Sequence, residues 1–168
     1  TLALGDALAL AVARRRRFTA DDFARRHPGG ALGGLLRPVT DALRSVAGKN
    51  LPIVEEAASV RAALLRASAL GRRPGALLMV DAAGSLTGIF TDGDLRRLIV
   101  ERPGALDGPI SAVMTRAPRS LPSTALVRDA VRLVRESRQD EIPVVDDRGR
   151  PVGLLDVQDL ITMKVVQD

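Results

Sequence analysis

The stretch Leu78-Met79-Val80-Asp81-Ala82-Ala83-Gly84-Ser85-Leu86-Thr87-Gly88-Ile89-Phe90-Thr91-Asp92-Gly93-Asp94-Leu95 decides how this chain is read, because it occurs twice. The second copy is Pro143-Val144-Val145-Asp146-Asp147-Arg148-Gly149-Arg150-Pro151-Val152-Gly153-Leu154-Leu155-Asp156-Val157-Gln158-Asp159-Leu160. Gly88 falls on Gly153, an offset of 65 residues that needs no gap. Val80, Asp81, Gly84, Gly88, Asp94 and Leu95 all find identical partners. Self-similarity at a fixed spacing marks a repeat architecture. Each copy reads as strand, tight Asp/Gly turn, strand, then helix.

The flanks extend the match with two residues of slack. Ser59-Val60-Arg61-Ala62-Ala63-Leu64-Leu65 parallels Leu126-Val127-Arg128-Asp129-Ala130-Val131-Arg132, and both carry apolar residues at helical spacing. Each unit is therefore strand–helix–strand–strand–helix, an α/β repeat. Neither unit is large enough to bury its sheet alone, so the two are expected to pack face to face. Arg102-Pro103-Gly104 to Gly108-Pro109 reads as the linker between them. The division that follows is a leading piece over 1–36, a first repeat over 37–102 and a second over 103–168.

Composition narrows the chemistry. The chain has 168 residues, 46% hydrophobic and 27% charged, which supports a packed core. It has no Cys, which removes disulfides, thiolate metal sites and Cys nucleophiles together. Its one His is His27, so no His-based metal site is expected. No Trp or Tyr and only three Phe are present, which leaves no stacking platform for single-stranded nucleic acid. The net charge of +5 invites a nucleic-acid reading, but 20 acidic residues are interspersed among the 25 basic ones. No nucleic-acid partner is expected. No apolar run approaches the ~20 residues that cross a bilayer, so no membrane partner is expected and the cytoplasm is the expected compartment.

The leading piece is different in kind. Leu2, Ala3, Gly5 to Leu10 and Val12 form an apolar stretch in which only Asp6 is charged. A surface helix is polar over half its turn, and this one is apolar nearly all round. It is expected to belong to the interior of a larger body, and the chain reads as a fragment of something longer. Residues 1–36 are therefore expected to pack abnormally or to mediate contacts between chains, leaving Leu4, Leu8 and Val12 uncovered by the repeats. Arg14 to Arg17 suit a helix C-terminus, where cations oppose the macrodipole; a phosphate patch is the other reading. Thr19 precedes Asp22 by three, a capping-box spacing, and His27-Pro28-Gly29-Gly30 ends the short helix that follows.

The tandem, with Gly88-Ile89-Phe90-Thr91-Asp92-Gly93-Asp94-Leu95 as its fullest copy, resembles the cystathionine-β-synthase (CBS) domain pair, or Bateman module. The resemblance implies binding of adenosyl or related nucleotides in clefts between the repeats. The residue types suit that role. Gly88 permits close approach of backbone to a ligand. The Thr91 hydroxyl at a helix start can bond phosphate. Asp94 can accept the two hydroxyls of a ribose. The same two residues can equally form an N-cap and its capping-box acid, and both readings can hold at once. The second copy, with Gly153, Asp156 and Asp159, makes a weaker site. Asp156 stands where the first copy has Thr91, and a carboxylate there repels phosphate.

With the leading piece added, the resemblance narrows. Gly5-Asp6-Ala7-Leu8-Ala9, Phe18-Thr19-Ala20-Asp21-Asp22-Phe23-Ala24, His27-Pro28-Gly29-Gly30-Ala31-Leu32-Gly33 and then Phe90-Thr91-Asp92-Gly93-Asp94-Leu95-Arg96-Arg97 occur in this order. Together they resemble the carboxy-terminal part of bacterial arabinose-5-phosphate isomerases, which join a sugar isomerase (SIS) domain to a CBS pair. The family interconverts ribulose 5-phosphate and arabinose 5-phosphate for the Kdo sugar of lipopolysaccharide. The resemblance implies that His27 is an active-site residue of the parent enzyme only, since the sugar-phosphate loop and the other proton-transfer groups lie outside this sequence.

It further implies a regulatory module with no required cofactor. The candidate ligands are adenine nucleotides and the pathway's activated sugar, CMP-Kdo. Implied partners are the SIS domain of the full-length protein and a second copy, as a homodimer through the CBS pairs and a tetramer in the parent. Leu64, Leu65, Leu133 and Val134 are candidates for that contact, although core packing explains them as well. The competing readings are an oligomerisation scaffold without ligand sensing and, behind it, an isomerase in its own right.

Overall fold

A computed structural model describes residues 2–19, 22, 31–70, 75–137 and 139–163. His27 and the Pro-Gly-Gly that follows it lie outside the described residues. The chain builds two four-stranded sheets, each backed by helices. Helix α1 spans Leu2–Arg15 and α2 spans Ala31–Leu35. The first repeat contributes β1 (Ser45–Val46), β2 (Ile53–Glu55), α3 (Val60–Ala69), β3 (Ala76–Val80), β4 (Leu86–Thr91) and α4 (Asp92–Glu101). The second contributes β5 (Thr115–Arg116), β6 (Leu121–Pro122), α5 (Val127–Ser137), β7 (Glu141–Val145), β8 (Pro151–Asp156) and α6 (Val157–Thr162). From β2 and from β6 onward, both repeats follow the expected strand–helix–strand–strand–helix order.

The turns show why the copied residues are copied. Asp81 Oδ1 accepts hydrogen bonds from the Ala83 and Ser85 amides, both at 2.9 Å, and Gly84 takes the left-handed conformation with φ +81°. Sixty-five residues on, Asp146 Oδ1 accepts from the amides of Arg148 (2.9 Å) and Arg150 (2.8 Å), with Gly149 at φ +75°. An Asx-type turn needs the short carboxylate at its start, and the positive φ needs a residue without Cβ. The two turns meet, the Leu86 amide donating to the Gly149 carbonyl at 2.9 Å.

Alternation divides the core into three parts. In β3, Leu77 and Met79 face α3 and α4 together with Val54, Phe90 and Leu98. Ala76 and Leu78 face the other way, packing with Leu51, Ile89 and Leu154 of the opposite sheet. All five residues of β3 are buried, as a strand covered on both faces requires. Ile142, Val144, Leu155 and Leu160 centre the corresponding cluster under α5 and α6. The repeats therefore do pack face to face.

The strand order contains an exchange that the repeat did not disclose. One sheet runs β2-β3-β4-β5 and the other β1-β8-β7-β6. Each repeat thus sends its first short strand to the edge of the other's sheet. Ser45 and Val46 pair with Leu154 and Gly153, while Thr115 and Arg116 pair with Ile89 and Gly88. The leaders cross as well: the Val39 amide donates to the Ala125 carbonyl (2.9 Å), and the Ile110 amide to the Ala58 carbonyl (2.8 Å).

Helix α1 leaves its large apolar residues exposed. Leu4 is 76% exposed, Leu8 66% and Val12 45%, so the helix does not fold back to cover them with the repeats. Leu35, in the same leading piece, instead packs against the second repeat's core. Among the described residues no helix is long and apolar enough to cross a membrane.

Candidate ligand cleft

Thr91 ends β4 and caps α4. Its Oγ1 accepts the Asp94 amide at 3.1 Å, and Asp94 Oδ2 accepts the Thr91 amide at 2.9 Å and the Thr91 hydroxyl at 3.0 Å. The capping-box reading is therefore realised in full. Asp94 Oδ1 points the other way and takes the Arg97 guanidinium one turn along the helix. The Asp94 side chain is only 10% exposed while that of Arg97 is 69% exposed. The carboxylate is held and the arginine can swing away, so one oxygen of Asp94 is available in exchange for an exposed ion pair of small net worth.

Beside this cap lies a cleft of about 660 Å³. The first repeat supplies Ile89, Thr91 and Asp94; the second supplies Thr115, Ala117, Pro118 and Arg119, and then Glu136, Ser137, Gln139 and Glu141 along the opposite wall. Gln139 ties that wall together, its Nε2 donating to the carbonyls of Arg119 (3.2 Å) and Glu141 (2.7 Å). The cleft has an apolar side (Ile89, Ala117, Pro118), a hydroxyl and carboxylate side (Thr91, Asp94) and, among the described residues, one lining cation, Arg119. This combination suits a flat polar ring joined to a hydroxylated sugar.

Gly88 and Gly153 do not line the cleft. A Cβ on Gly88 would strike the Met114 thioether, and one on Gly153 would strike Leu43 and come within 3.0 Å of the Ser45 carbonyl oxygen. The close approach that both glycines permit is that of the incoming leader to its host strand.

The second repeat builds the same cap with different chemistry. Asp156 Oδ1 accepts the Gln158 amide at 2.8 Å, and the Asp156 amide donates to Asp159 Oδ2 at 3.3 Å. Asp159 is 5% exposed, and Arg44 of the exchanged leader reaches its Oδ1 with Nε at 3.0 Å. A sugar hydroxyl approaching Asp159 meets that guanidinium, which belongs to the leader and not to the helix. Among the described residues no group of three His, Cys, Asp or Glu is placed to hold a metal ion.

Three participants escaped the sequence reading. Arg97 and Arg44 carry no local signature beyond charge. Glu141 does: at the 65-residue offset it falls on Ala76, a buried small residue.

Fold and cleft together define a CBS-domain pair, and residues 110–165 match the CBS domain family. The CBS-pair protein CBSX2 of Arabidopsis thaliana, solved in complex with AMP, superposes with a TM-score of 0.63 at 25% identity, covering 77% of this chain and 96% of that one. Within this class the chain is homologous to the arabinose 5-phosphate isomerases. It is 40% identical over 167 residues to arabinose 5-phosphate isomerase KdsD of Pseudomonas aeruginosa, covering 99% of this chain and 50% of that protein. It is 39% identical over 167 residues to arabinose 5-phosphate isomerase GutQ of Escherichia coli K12, with the same coverages. The chain spans about half the length of the curated relatives it matches.

Proposed function

We propose that this chain is the regulatory, nucleotide-binding CBS pair of an arabinose-5-phosphate isomerase. The supporting observation is the cleft that joins Thr91 and Asp94 to the opposite repeat, in a fold that an AMP-binding neighbour shares. Asp94 holds the ribose, Thr91 and the start of α4 face the phosphate, and Arg97 yields its place on Asp94 to the ligand. Adenine nucleotides and CMP-Kdo are the ligands to try; Asp159, already engaged by Arg44, makes the lesser site. The parent carries a SIS domain, acts in the cytoplasm for Kdo synthesis, and uses His27 in its active site. This chain alone is not catalytic. Residues 1–36 belong to the SIS side, and the two repeats occupy 37–102 and 103–168. Ligand binding acts by favouring one of two arrangements of the pair.

The experiment is thermal unfolding against AMP, ADP, ATP, CMP and CMP-Kdo. A ligand at about a hundredfold excess over its Kd adds about 2.7 kcal/mol. That raises the midpoint of a chain this size by several degrees, each kcal/mol being worth roughly 2–4 °C. A rise with one ligand, lost in Asp94→Ala, supports the reading; no rise with any of them removes it.

A second reading, oligomerisation scaffold, is favoured by one observation. Leu65 on α3 and Ile99 and Val100 on α4 are exposed, Val100 by 82%. Leu64, Leu133 and Val134 instead pack on the repeats' own cores. A homodimer seen by sedimentation and broken by Val100→Glu, without any nucleotide response, is the outcome that fits a scaffold.

A further inference from the structure

Glu141 takes no part in the capping box of Asp94, yet it faces the same cleft. It opens β7 directly opposite Asp156, whereas the first repeat has Ala76 opposite Thr91 at the related positions. Its carboxylate lies over Gly75, so near that a Cβ there would stand 2.5 Å from Oε1. Among the described residues no hydrogen bond or ion pair reaches the Glu141 carboxylate. Among the described residues the charged groups that act on it most are acidic: Asp140 beside it, Asp156 from β8, and Asp92 and Asp94 from α4. Farther along the cleft stand Glu136 and the cation Arg119. Burial first, and then these four carboxylates, push its pKa up to about 7. A half-buried acid that no described cation neutralises costs stability, and such groups in clefts mark functional positions.

A protonated carboxyl presents one donor and one acceptor side by side. The edge that complements it is a ring nitrogen next to an exocyclic amine, which adenine and cytosine both carry. Ile89, Ala117 and Pro118 line the cleft with apolar surface for the ring, and Asp94 stands in the same cleft for the sugar. We propose that Glu141 is the base-reading residue of the cleft, pairing as a neutral carboxyl with the amino-substituted ring nitrogen of adenine or cytosine. The proposal rests on the nucleotide-binding reading above and deepens it. When Glu141 is ionised beforehand, binding draws one proton from solvent, so affinity falls as pH rises.

The test is calorimetry of AMP, CMP and GMP on the full chain at about pH 6 and about pH 8, with Glu141→Gln and Glu141→Leu beside the parent. AMP or CMP is expected to bind about tenfold more weakly at the higher pH, with proton uptake visible in buffers of different ionisation enthalpy. Glu141→Gln, whose amide also offers one donor and one acceptor, keeps the affinity and loses the pH dependence. Glu141→Leu weakens binding about tenfold or more at the lower pH. GMP, whose ring N–H and amine both donate, suits the carboxylate and does not weaken as pH rises. Whichever of AMP and CMP shows the pattern names the base. AMP and CMP affinities that do not change between the two pH values, or unchanged affinity in Glu141→Leu, overturn this proposal and leave the nucleotide-binding reading standing. No binding of any nucleotide to the folded parent overturns both.

Discussion

A methyl group added at Gly153 would be driven into Leu43 and toward the Ser45 carbonyl oxygen at 3.0 Å, whereas at Gly88 the nearest atoms it would meet belong to the Met114 side chain. A thioether can turn aside, but a backbone carbonyl cannot without moving its strand. Gly153→Ala is therefore expected to cost about 1–3 kcal/mol, and Gly88→Ala clearly less, in urea unfolding. Glu141 sets a second expectation at this scale. The folded protein keeps a proton that the unfolded chain gives up near pH 4.5, since the pKa rises from 4.5 to about 7 on folding. Over that window the folded state binds more protons, so this residue's contribution to stability falls as pH rises and is lost above pH 7. The midpoint of Glu141→Gln should vary less with pH across the window and exceed the parent's near pH 8.

At the scale of elements, the capping box of Thr91 with Asp94 was legible in the sequence, and the structure adds a second box at the related positions of the other repeat. Thr91 and Asp94 satisfy backbone donors within four residues, so neighbours in the chain suffice to show the cap, and Asp156 with Asp159 does the same in the second repeat. Thr91→Ala should cost about 1 kcal/mol, and Thr91→Ser little, measured by thermal or chemical unfolding. The turns at Asp81 and Asp146 were legible for the same reason. Strands β1 and β5 were not: two residues each, Ser45–Val46 and Thr115–Arg116, are too short to show a period. The far wall of the cleft was hidden by distance along the chain, because Arg119 and Glu141 join Thr91 and Asp94 only when the repeats close on each other.

For the whole molecule, the crossing leaders mean that neither repeat is structurally self-sufficient. Cutting the chain at Arg102 separates β1 from its host sheet and β5 from its own. The halves 1–102 and 103–168 are expected to be poorly folded apart and to recover native circular dichroism when mixed. Two halves that each unfold cooperatively alone, with no gain on mixing, would count against this. Helix α1 is the exception to the closed design, since its exposed Leu4, Leu8 and Leu10 need a cover that the repeats do not provide.

The exchange of β1 and β5 also speaks to ancestry. A single repeat has one strand to give away and one vacant sheet edge to fill. A lone unit can satisfy both demands at once only by trading with its twin, giving a two-fold pair in which each copy completes the other. The present chain has the form of such a pair after fusion. The Leu86 to Gly149 hydrogen bond between its turns, together with Leu154 packed among Leu78 and Ile89, stands where two such copies would meet, as an internal seam. Within one chain the two halves are free to differ, and they do: one sheet pairs Ala76 with Thr91 where the other pairs Glu141 with Asp156.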